Sequence, residues 1–211
     1  MVKYGQTKDP QKRQEKYDTV KADYDARLAK EAGELEAHRC EWASEAALSP
    51  LTGRVLAIGL QRDDRIVIVG EDGVGEAEIL ARFWDLYKKY HINNGRLVGF
   101  DCFRFDLPFL IRRSWWHGTP IPDSILKDGR YWSPVFLDLV KVWGCGAYNE
   151  YVSLDTLAKF FGVGGKPEGV DGGMFAGLWN GAPEDRQRAI EYLANDLKMT
   201  WNLAEKMGVI A

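Results

Sequence analysis

From about Asp9 to Arg39 the chain is densely charged in both signs and its apolar positions are sparse. Tyr17, Val20, Tyr24, Leu28 and Leu35 recur at three, four, four and seven residues. That spacing makes one narrow stripe on a helix. It predicts a long surface helix that packs on the rest of the protein by its stripe, or offers the stripe to a partner or a second copy. The texture then changes. Leu51-Thr52-Gly53-Arg54 reads as a turn, Val55 to Leu60 as a strand, Arg62 to Arg65 as a polar hairpin and Ile66 to Val69 as a second, antiparallel strand. Glu76 to Tyr90, with Ile79, Leu80, Phe83, Trp84 and Tyr87 at helical spacing, predicts an amphipathic helix covering the sheet.

After Asn93-Asn94-Gly95, the run Leu97 to Phe100 reads as the end of a buried strand. Asp106 can cap the helix that follows, and Pro108 fits its first turn, where a missing N–H costs nothing. A carboxylate is thereby fixed where a strand hands over to a helix, and in open α/β sheets ligand sites form beyond the carboxyl ends of the strands. The aromatic stretch Ser114 to Pro122, continued by Gly129 to Trp132, is either a loop that stacks bases or a satellite core. Val135 to Val140 predicts a buried strand carrying Asp138. Ser153 to Phe161, with a serine cap and a stop at Gly162, predicts a short helix. The glycine-rich loop from Gly164 to Gly173 lacks the Walker A spacing, and Pro183 opens a last helix running to about Met207. The expected fold is an α/β domain with a mixed sheet and flanking helices over 47–211, preceded by a charged helical extension over 1–46.

Composition narrows the classes. With 211 residues, 45% of them hydrophobic, one substantial core is within reach. A net charge of −3 gives no whole-molecule basic footprint, so nucleic-acid contact would come from a local patch. Cys40, Cys102 and Cys145 have no metal-ligand spacing and are odd in number, which fits a reduced, cytoplasmic setting. No stretch reaches the length of a membrane span.

Two acids and a phenol carry the candidate chemistry. Tyr192 and Asp196 are four apart, on one face of the last helix, with Leu193, Ala194, Leu197 and Met199 around the acid. The plain alternative is a solvated face. Paired with Asp106, Asp196 supplies half of a carboxylate cluster for Mg²⁺ or Mn²⁺, hard cations that prefer oxygen. Two such ions activate water and stabilise the leaving oxygen in phosphodiester hydrolysis, and Tyr192 would orient the water.

Gly99-Phe100-Asp101-Cys102-Phe103-Arg104-Phe105-Asp106-Leu107-Pro108-Phe109-Leu110 resembles the second exonuclease motif of the DEDD superfamily, the ribonuclease-H-like 3′-to-5′ exonucleases. Tyr192-Leu193-Ala194-Asn195-Asp196 resembles its third motif in the tyrosine variant (DEDDy), as in the proofreading domains of family B DNA polymerases. The likeness runs from about Leu48 to Met207. It implies a ribonuclease-H-like fold and metal-dependent 3′-to-5′ exonuclease activity on single-stranded DNA or RNA ends. Asp106, Asp196 and Glu45 would be metal ligands and Tyr192 a further catalytic residue. Asp101, Phe105, Arg112 and Lys166 would contact substrate. Members open with D-x-E on the first strand, whereas here Ala43 stands at the aspartate position if Glu45 is the glutamate, with Glu41 or Asp138 as substitutes. Asp101 also departs from the family's usual asparagine. These departures keep a second reading open: a catalytically inactive domain that binds nucleic acid or a protein, with the N-terminal helix as docking element.

Overall fold

The computed structural model describes residues 9–70, 74–127, 133, 135–146, 151–166 and 172–210. The chain divides into two compact units, the first ending at Ala46 and the second beginning at Ala47. The described residues of the first unit belong to one helix, α1 (Pro10–Ala47), which ends on the first residue of the second unit and whose start is capped by the Asp9 carboxylate accepting from the Gln11 N–H at 2.9 Å. It runs eight residues beyond Arg39. Cys40 to Ala47 hold alanines and glutamates, strong helix formers that let the helix propagate. Glu45 therefore stands on a helix and not on a first strand.

In the second unit the first hairpin forms close to expectation. Strands β1 (Ala57–Arg62) and β2 (Arg65–Gly70) pair antiparallel, with Arg62 opposite Arg65 across a two-residue turn. Asp63 in that turn has φ 52°, a left-handed conformation that Asp tolerates. Helix α2 (Glu76–Ile92) follows, then β3 (Leu97–Gly99) and α3 (Asp106–His117). A short α4 (Asp123–Lys127) precedes β4 (Phe136–Asp138), which passes directly into α5 (Leu139–Trp143). Helix α6 (Leu154–Phe161) has the serine cap and glycine stop read from the sequence. The Ser153 hydroxyl accepts from the Thr156 N–H, and Gly162 takes φ 66°. A 3-10 turn (Gly172–Met174) leads into α7 (Phe175–Trp179), and α8 (Pro183–Lys206) closes the chain with its proline in the first turn.

The single mixed sheet is not what forms among the described residues. β1 pairs with β2, and β3 pairs in parallel with β4, as two separate two-stranded sheets in a largely helical unit. The strand expected over Val135 to Val140 stops at Asp138, because that side chain accepts from the Val140 N–H and starts a helix. Of the aromatic stretch, Ser114 to His117 is helical, and Gly129 to Trp132 lies outside the described residues.

Three apolar clusters hold the unit. Ile79, Leu80, Trp84 and Tyr87 of α2 meet Leu107, Phe109 and Phe136, and each fully buried side chain contributes roughly 1.5–3 kcal/mol. Leu139, Leu157, Met199 and Leu203 form the second cluster, and Leu56, Leu178, Trp179 and Ala189 the third. Helix α8 lies against β1 at Gly59, where a Cβ would come within 2.8 Å of Leu197 and 3.0 Å of Leu193. A residue without a side chain lets the helix approach, and so sets the height of Tyr192 and Asp196.

Candidate active site

The turn between β3 and α3 is built on Asp138. Its Oδ1 accepts from the Asp101 N–H at 2.8 Å and the Val140 N–H at 3.0 Å, and its Oδ2 accepts from Phe103 N–H at 3.1 Å. Asp138 is buried and its oxygens accept from three backbone N–H groups, so it clamps this loop. Asp101 adopts φ 58°, and its carboxylate takes the Arg104 guanidinium at 2.6 and 2.8 Å. That guanidinium also lies 4.1 Å from the centre of the Tyr151 ring.

Asp106 does not cap α3. Phe105 occupies the cap position and Asp106 is the first helical residue. The residue is open to solvent on one side, while protein surrounds it on the others. Those surroundings push its pKa up to about 7. Its own N–H pulls the other way, and the nearby charges of Asp101 and Asp138 add to the rise. Asp101→Asn is accordingly expected to lower the Asp106 pKa, as read by NMR titration. Asparagine accepts the left-handed backbone, and the half-exposed pair with Arg104 is worth at most about 1 kcal/mol, so stability should change little.

On α8, Tyr192 is buried and Asp196 half-buried, and Asp196 Oδ1 is shielded from solvent with no hydrogen-bond partner among the described residues. Burial raises the Asp196 pKa against the pull of the Lys166 charge and the Tyr192 hydroxyl. Lys166 donates from Nζ to the Tyr192 hydroxyl at 2.8 Å, and its backbone N–H donates to Asp155 Oδ1 at 2.7 Å. Asn195 Nδ2 reaches the Gly165 carbonyl at 3.2 Å. The glycine-rich loop is thus tied at both ends of this contact to α6 and α8. Burial raises the Tyr192 pKa, although the Lys166 hydrogen bond lowers it, so the phenol keeps its proton at working pH. The sequence alone points to no role for Asp155. The only signal was its place in the helix-opening Ser153-Leu154-Asp155.

The structure therefore brings Tyr192, Asp196 and Lys166 together and sets Asp101 near Asp106. Phe105 and Arg112 are exposed on the start and middle of α3, and Glu45 is exposed near the end of α1. Among the described residues, no group of three or more His, Cys, Asp or Glu side chains converges as a metal site. The orphaned Asp196 oxygen and the solvent-open Asp106 carboxylate still have the chemistry of hard-cation donors.

Residues 50–210 match a family described as predicted 3′-5′ exonucleases related to the exonuclease domain of PolB. The chain belongs to this family. For a PolB-like exonuclease domain the structural comparison agrees in fold. The family B DNA polymerase of the hyperthermophilic archaeon Pyrobaculum calidifontis is similar with a TM-score of 0.63 and 24% identity, over 79% of this chain and 23% of the polymerase. This PolB-like domain thus spans about a quarter of that polymerase's length. No curated protein matches the chain. No helix among the described residues is long and apolar enough to cross a membrane.

Proposed function

We propose that this PolB-like domain is a metal-dependent 3′-to-5′ exonuclease acting on single-stranded DNA or RNA ends. The observation that carries the reading is the Asp196 carboxylate, shielded and lacking a partner for one oxygen, one helical turn from a phenol that keeps its proton. Asp196 and Asp106 would hold Mg²⁺ or Mn²⁺. Such an ion supplies a more acidic water and neutralises charge on the leaving oxygen. Tyr192, steadied by Lys166, donates its hydroxyl proton in a hydrogen bond to the attacking water. The Lys166 ammonium beside Tyr192 would meet a phosphate oxygen, and exposed Arg112 would offer a second cation. The exposed Phe105 ring would stack on a terminal base.

One observation favours the binding-module reading instead: Glu45 stands exposed on the helix α1 and not on a first strand. A 5′-labelled single-stranded oligonucleotide incubated with Mn²⁺ separates the two. A ladder of shortened products, lost in Asp196→Ala, is the expected result. Retained binding without shortening would mark the domain as a binding module.

A further inference from the structure

We infer that α1 is a dimerisation helix that pairs antiparallel with α1 of a second copy of this chain. This inference is independent of the nuclease reading. Every residue of the helix from Pro10 to Ala43 is exposed. Tyr17 and Tyr24 are seven apart, Leu28 follows after four, and Leu35 and Trp42 continue at seven, with exposures of 41, 60, 47, 62 and 68%. A repeat of three and a half residues is the seam of a left-handed coiled coil, and these side chains fill its two inward positions.

The polar residues on the seam and its flanks fix the partner and its direction. Between Tyr17 and Trp42 the inward positions also hold Lys21, Glu31 and His38. Two parallel copies would bury Lys21 against Lys21 and Glu31 against Glu31, which like charges forbid. Running antiparallel with Leu28 level with Glu31 of the second copy, Trp42 packs on Tyr17, Leu35 on Tyr24, and Lys21 meets the His38 ring and not a second lysine. In that register one flank sets Arg27 against Glu34 of the second copy, and the other sets Asp18 against Arg39. Two-fold symmetry repeats both pairs, and no like charges meet on either flank. Sliding one heptad to place Leu28 on Tyr24 would set Arg27 on Arg27 and Asp25 on Asp25. Within one chain Glu34 and Arg39 have only long, exposed contacts, to Lys30 at 3.7 Å and Glu36 at 4.0 Å. Both therefore remain available to the second copy.

Sedimentation equilibrium of the full chain tests this. The wild type is expected to be a dimer, and Leu35→Glu a monomer. Arg27→Glu turns two attractive pairs repulsive and should weaken the dimer about tenfold. Adding Glu34→Arg to it should restore wild-type association, because the swapped pair is again complementary. A wild type that sediments as a monomer over its whole soluble range overturns the inference, as does a double variant no tighter than Arg27→Glu.

Discussion

Asp106→Asn should abolish shortening of a 5′-labelled oligonucleotide, by ~10²-fold or more, while making the metal-free protein more stable at pH 8. The second effect follows from linkage. The folded pKa of about 7 lies above the ordinary 3.8. Below about pH 4 the carboxyl is protonated whether the chain is folded or not. Between about pH 4 and 7 the unfolded chain loses the proton and the folded one retains it, so stability falls as pH rises, and above about 7 the loss is complete. A rise of that size would amount to about 4 kcal/mol in a dry interior. Solvent reaches Asp106, so screening reduces this to roughly 1–2 kcal/mol. Thermal melts in EDTA from pH 4 to 8 should show that slope in the wild type and a shallower one in Asp106→Asn, where only the raised Asp196 still contributes it. Mn²⁺ should raise the wild-type melting temperature at pH 8 and leave the variant unmoved. A variant that still shortens the oligonucleotide would remove Asp106 from the chemistry.

The elements legible in the sequence are those with their own punctuation. Ser153 and Gly162 bound α6, Pro183 opens α8, and the Asp63-Asp64 pair turns the first hairpin. Each signal acts within a few residues of itself. The sheet was not legible in the same way. β3 and β4 are three residues each, and the apolar run through Val135 to Val140 fits strand or helix until the Asp138 side chain caps one and ends the other. The site divides along the same line. Tyr192 and Asp196 announce themselves by spacing on one helix, whereas the Lys166 contact to the phenol depends on tertiary contacts that hold Lys166 between Asp155 of α6 and Tyr192 of α8. The three backbone donors that Asp138 gathers are visible only in the fold, because Asp101 and Phe103 lie more than thirty residues away along the chain.

Arg113→Met should destabilise the domain by ~3–5 kcal/mol, the largest single loss expected, because it strands a buried carboxylate. Glu76 opens α2 with its side chain 5% exposed, and it receives Arg113 through two bonds, Nε to Oε1 at 2.8 Å and Nη2 to Oε2 at 2.7 Å. The Val55 N–H donates to Oε1 and His117 Nε2 meets Oε2, both at 2.7 Å. Burial alone would raise the Glu76 pKa. The hydrogen bonds from Arg113, Val55 and His117, with the Arg113 charge, outweigh it and hold the pKa below 4.5. A lowered carboxylate pKa contributes stability that is present above the unfolded value and lost as pH falls below about 4.5. Urea unfolding should therefore show a wild-type loss in that acid range that Arg113→Met largely lacks, together with its lower midpoint at pH 7. Arg113 also donates to the Pro50 carbonyl at 3.2 Å, so one side chain joins the loop before β1, the start of α2 and the end of α3. Adding Glu76→Met to Arg113→Met should recover part of the loss, since the unpaired charge goes with it. A double variant no more stable than Arg113→Met would place the loss in packing and not in the stranded charge.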